Sequence, residues 1–142
     1  MKRNRTAFFF AVLILWTGVT LYLTLMPGGV IQPRMPLVIA KLGHVVLFGG
    51  WAIIAGITVA VWHGADRLNL FVLWIAAVTF GAAVELLQTL LAFDREGSLR
   101  DVAINAIGVT AACLILRYRR RRSAETPRQR RRTTGCPAPS ID

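Results

Sequence analysis

The chain has 142 residues, 55% of them hydrophobic, with a mean hydropathy of +0.54 and a formal net charge of +10. Its apolar residues come in long unbroken runs instead of a periodic pattern, which excludes an ordinary soluble domain. Runs of roughly 20 residues are what a hydrocarbon core of ~30 Å requires, and four of them leave no room for a second domain.

The first predicted span covers about 7–26. Met1-Lys2-Arg3-Asn4-Arg5 before it has the look of a secretory n-region. The apolar run is longer than a typical signal core, and Leu23-Thr24-Leu25-Met26 offers no small-residue cleavage site. A retained helix is therefore expected, ended by Pro27-Gly28-Gly29. A connection with Pro33 and Pro36 leads to a second span, about 41–62. The turn His63-Gly64-Ala65-Asp66-Arg67 joins it to a third, about 68–93. The charged loop Asp94–Arg100 precedes a fourth, about 99–118. The expected fold is all-α: a four-helix transmembrane domain over 1–118, followed by a basic tail over 119–142 that cannot build a core and is expected to be disordered.

Charge sets the expected orientation. Nine Arg lie from Arg117 onward, against only Glu125 and Asp142, and Lys2, Arg3 and Arg5 flank the first span. Basic residues beside membrane helices mark the cytoplasmic side. An even number of spans places both termini there, in a multi-pass protein of the cell membrane. The same arginines fit anionic lipid better than nucleic acid. Cys113 and Cys136 are expected to be free thiols, so they do not report on the redox compartment.

The polar residues in the spans gather at the other side, expected to face outward. Lys41 and His44 open the second span three residues apart, on one helix face. Glu85 and Gln88 stand three apart near the end of the third, with Gly81 four before Glu85. Asp101, Asn105 and Gly108 form an i, i+4, i+7 stripe at the start of the fourth. Gly81 and Gly108 are expected to let helices approach closely. Glu85 is the sharpest residue, about 8–12 Å inside the boundary at 1.5 Å rise per residue. A charge there costs ~2.5–3.5 kcal/mol or more on insertion scales, so it should face the bundle and either pair, with Lys41 or Arg95 as the expected partner, or be held protonated by desolvation.

Plainer readings stand beside these. Glu85 and Gln88 would also serve as interhelical hydrogen-bond glue. Asp101 fits a capping box, Ser98-Leu99-Arg100-Asp101. Lys41 would snorkel, and Trp16, Trp51, Trp62 and Trp74 would pack or sit at the interface. No cofactor is implied by any motif. His44 and His63 fall on opposite sides, so no His-based metal site is expected.

In order, Lys41-Leu42-Gly43-His44, Glu85-Leu86-Leu87-Gln88, and Arg95-Glu96-Gly97-Ser98-Leu99-Arg100-Asp101-Val102-Ala103-Ile104-Asn105-Ala106-Ile107-Gly108 resemble the VanZ-like family over about 41–112. Its pattern runs D-K-x-x-H, E-x-x-Q, then Arg, Ser, D-x-x-x-N and Gly. The Asp before the Lys is Ala40 here, and a second glycine is Ala112. The resemblance implies a small bacterial membrane protein of undefined biochemical activity, from a family whose founding member is associated with low-level teicoplanin resistance. It implies a role at the outer leaflet toward a lipid-linked cell-wall precursor or a glycopeptide, through Lys41, His44, Glu85, Gln88, Arg95, Asp101 and Asn105. The alternatives are an envelope-lipid enzyme using Glu85 or His44 as acid or base, and a small proton-coupled transporter using Glu85. Oligomeric state is left open.

Overall fold

The computed structural model describes residues 2–25, 37–91 and 98–133. The loop carrying Arg95 and the end of the tail, 134–142, lie outside the described residues. Four helices follow in chain order: α1 Lys2–Leu25, α2 Leu37–His63, α3 Leu70–Leu91 and α4 Leu99–Thr133. Each is long and apolar enough to cross a membrane, with mean hydropathies of 2.1, 2.1, 2.2 and 1.7 in their apolar windows. Large aliphatic and aromatic side chains such as Ile14, Leu15, Phe71, Leu90 and Ile107 point outward, as they do on a bundle solvated by lipid. The chain is an integral membrane protein.

Local chemistry sets the helix ends. α2 stops at Gly64, whose φ of 105° is one that side chains with a Cβ rarely adopt. Its N–H still reaches the Ala60 carbonyl at 3.0 Å. A single 3-10 turn, Ala65–Arg67, follows. Asn69 then caps α3, its Oδ1 accepting from the N–H of Phe71 at 2.9 Å and of Val72 at 3.3 Å. The third span thus begins at Leu70, slightly later than expected. α4 departs more from expectation. It continues past Tyr118 to Thr133, so the backbone is helical through the first part of the segment expected to be disordered. Arg is a good helix former and an existing helix is readily extended, although Pro127 within the extension opposes it.

The most extensive interface joins α2 to α4. It depends on missing side chains. A Cβ on Gly108 would lie 2.6 Å from the Val45 carbonyl oxygen, and one on Gly49 would lie 2.9 Å from that of Gly108. The two backbones touch there, the close approach that small residues permit in membranes. Around this crossing the core is built from Phe48, Ala52, Ala55, Ala77, Val84, Val109, Ala112 and Leu116.

α1 belongs to the bundle. Trp16 donates its indole N–H to the Leu47 carbonyl at 3.0 Å, and Trp51 donates back to Thr17 Oγ1 at 2.9 Å. Gly50 makes room for the Trp16 ring, which would sit 2.7 Å from a Cβ there. Trp74 similarly ties α3 to α4 through Thr110 Oγ1 at 2.9 Å. Three of the four tryptophans therefore act as polar pins between helices, while Trp62 packs edge-on to Phe10.

Candidate polar site

The chain topology brings the last turns of α1 and α3 beside the first turns of α2 and α4. His44, Glu85, Gln88 and Asn105 meet at this end, 7%, 4%, 2% and 1% exposed. Their burial follows from position. Each occupies the face its helix turns toward the bundle, in register with the buried Phe48, Gly81 and Gly108.

Glu85 is the centre. Its Oε1 accepts from Asn105 Nδ2 at 3.5 Å and lies 3.6 Å from His44 Nδ1. Its Oε2 accepts from the backbone N–H of Ser98 at 3.4 Å. Asn105 Oδ1 in turn faces His44 Nδ1 at 3.2 Å. The directions are mutually consistent. The Asn105 amide N–H points at the carboxylate, so its oxygen points at the imidazole. Both atoms facing Nδ1 are then acceptors, which places a hydrogen on Nδ1. The ring itself stacks on Phe48, centroids 6.1 Å apart.

Two expectations are corrected. Among the described residues Glu85 pairs with His44 rather than Lys41, which is partly buried and makes no hydrogen bond or ion pair there. Arg95, the other expected partner, lies outside the described residues. The capping box at Ser98 is half formed. Ser98 Oγ accepts from the Arg100 N–H at 3.2 Å, but the Ser98 N–H goes to Glu85, not to Asp101. A carboxylate from a neighbouring helix thus takes the place of the local one. Asp101 is partly buried and close enough to Glu85 for their charges to interact.

Gln88 belongs to the same end but faces α1. Its Nε2 donates to the Thr24 carbonyl at 2.5 Å. This carbonyl lies in the last described turn of α1. Glu85 serves the N–H of Ser98, just before α4, and Gln88 a carbonyl in the last described turn of α1, so one face of α3 reaches both neighbours. Thr24 carries no motif, and the capping-box pattern at Ser98 pointed to Asp101 instead. Only knowing where α1 and α4 end would have pointed to Thr24 and Ser98.

Gly81 and Gly108 differ in role. Gly108 is the helix contact described above. Gly81 lies under the site, where a Cβ would meet the Asn105 side chain at 3.4 Å and Phe48 at 3.5 Å. Gly49, the other half of the α2–α4 contact, was not singled out from sequence, although Gly49-Gly50 in an apolar run was a visible signal.

The cluster is closed in hydrogen-bond terms. Among the described residues no buried side-chain nitrogen or oxygen lacks a partner. No three His, Cys, Asp or Glu among them are placed to hold a metal ion. The arrangement holds a carboxylate and an imidazole in fixed relation beneath one end of the bundle, with Lys41 and Asp101 less buried at the same end. No family model, no curated protein and no solved structure matches the chain.

Proposed function

We propose that this chain is a VanZ-like integral membrane protein that binds a lipid-linked or cell-envelope ligand at the outer leaflet. One observation carries the reading. The residues shared with the family pattern on α2, α3 and α4 lie at one end of the bundle, and His44, Glu85 and Asn105 are bonded to one another. The arginines from Arg117 onward follow α4 toward its other end. By the positive-inside rule the cluster then faces outward, with both termini cytoplasmic and the basic tail on anionic lipid. In this reading His44, Glu85, Gln88 and Asn105 form a rigid base. Lys41, Asp101 and Arg95 present charge to the ligand above it, a cell-wall precursor or a glycopeptide such as teicoplanin.

The test separates base from rim. Lys41→Ala lies outside the bonded cluster, so it should accumulate to the normal level and yet lower any teicoplanin tolerance that the chain confers. Glu85→Gln should lower tolerance as well. Unchanged tolerance in both variants, with protein level verified, would remove the site assignment.

A second reading has its own observation. A carboxylate 3.6 Å from an imidazole is a geometry suited to general acid–base chemistry on an envelope lipid. Turnover of a lipid-linked precursor by the purified protein, abolished in His44→Ala, would favour it. Absence of turnover in the unaltered protein would dismiss it.

A further inference from the structure

A groove of about 830 Å³ runs between α3 and α4 at the end opposite the polar cluster. Arg67, Arg117 and Arg120 line it nearest the membrane surface, and Phe71, Trp74 and Leu114 are among the residues lining its open, lipid-facing part farther in. From Arg117 down α4 to Thr110, beside Trp74, is seven residues, or about 10 Å along the helix. The feature is therefore polar and cationic at the membrane surface and apolar for two turns below it.

Flanking arginines usually mark topology and extend into water. Arg120 does otherwise. It is partly buried, and its Nη1 donates to the Leu68 carbonyl at 2.8 Å, which holds the guanidinium at the groove. Among the described residues none of Arg67, Arg117 and Arg120 has an ion-pair partner. Asp66 also lines the mouth, but its Oδ1 folds back to within 2.6 Å of where a Gly64 Cβ would stand. Three arginines against one acid leave the mouth positive.

We propose that this groove is a binding site for one anionic glycerophospholipid of the adjoining leaflet. The phosphate meets Arg67, Arg117 and the remaining N–H groups of Arg120, and the upper part of one acyl chain lies along Phe71, Trp74 and Leu114. Guanidinium N–H groups suit phosphate oxygens in a fixed fork. Basic pockets between membrane helices are a recurrent form of lipid headgroup recognition. The site is distinct from the diffuse attraction of the tail and independent of what the opposite end binds.

Trp74 supplies the reporter. The full-length protein is placed in phosphatidylcholine nanodiscs containing a small fraction of phosphatidylglycerol brominated in its acyl chains, or the same fraction of brominated phosphatidylcholine. Tryptophan quenching should be greater with the anionic lipid, corresponding to an enrichment of about fivefold per contributing arginine. Arg67→Gln with Arg117→Gln should cut the excess to no more than the share that Arg120 supplies. The corresponding lysine pair should keep part of the excess, and Trp74→Phe should remove it. Replacing Arg128, Arg130, Arg131 and Arg132 by Gln should leave it in place. Equal quenching by the two lipids would overturn the proposal. So would an excess undiminished by the Arg67 and Arg117 changes, or one that disappears with the tail changes.

Discussion

Glu85 illustrates what a single ionisable side chain can do inside a membrane bundle. It is 4% exposed, yet each carboxylate oxygen has a hydrogen-bond donor, and the imidazole of His44 completes the set. Removing it leaves the Asn105 amide and the Ser98 N–H without their acceptor. Glu85→Ala should therefore destabilise the bundle by about 1–3 kcal/mol. Glu85→Gln should cost less, because the amide oxygen still accepts from one of the two. Unfolding in mixed micelles measures both. A double-mutant cycle over His44→Ala and Glu85→Ala should return a coupling of about 0.6–1.7 kcal/mol, the range for polar pairs between membrane helices. Zero coupling would mean that the 3.6 Å contact contributes nothing. This pair was only partly legible in the sequence. Burial and the need for a partner followed from Glu85 standing in an apolar run. The choice of His44 over Lys41 did not, because spacing along one helix says nothing about its rotation relative to another.

At the scale of the helix, close packing of α2 on α4 depends on positions without a side chain. The atom that a Gly108 Cβ would meet is a main-chain oxygen at 2.6 Å, which no rotamer change can move. Gly108→Ala should push the helices apart at a cost of about 1–3 kcal/mol, the usual range for overpacking. Gly43→Ala, on the same α2 but with nothing within 4 Å of its Cβ, should be neutral and serves as the control. Equal effects of the two changes on unfolding would contradict the contact. α3 offers a second test. Asn69→Ala removes the side-chain acceptor at its first turn and should cost about 1 kcal/mol. These roles were unequally visible beforehand. Gly108 stood on a polar stripe and drew notice, whereas Asn69 was hidden in a turn, and Gly49, although paired with Gly50 in an apolar run, had no polar neighbour to mark it.

For the whole molecule the testable quantity is direction. Cysteine placed at Ser98, His63 or Ser140, in a Cys136→Ser background, should react with an impermeant reagent from outside the cell only at position 98. Labelling of positions 63 and 140 should require access from the cytoplasm. Labelling of position 98 from the cytoplasm alone would invert the orientation and withdraw the outer-leaflet reading, while leaving the fold intact.

The amino-acid sequence alone determined that the chain lives in a bilayer, that it has four spans and that Lys41, His44, Glu85, Gln88, Asp101 and Asn105 stand near the same end of theirs. All three depend on linear quantities: the length of apolar runs, the 1.5 Å rise per residue and the parity of the crossings. Only the tertiary structure decided which polar group meets which. It assigned the Ser98 N–H to Glu85, the Thr24 carbonyl to Gln88 and the backbone of Val45 to Gly108. It also carried α4 on to Thr133. The physical reason is that a helix end leaves main-chain groups unpaired, and in lipid no water satisfies them. Their partners must come from neighbouring helices, whose axial rotation and stagger no single segment encodes.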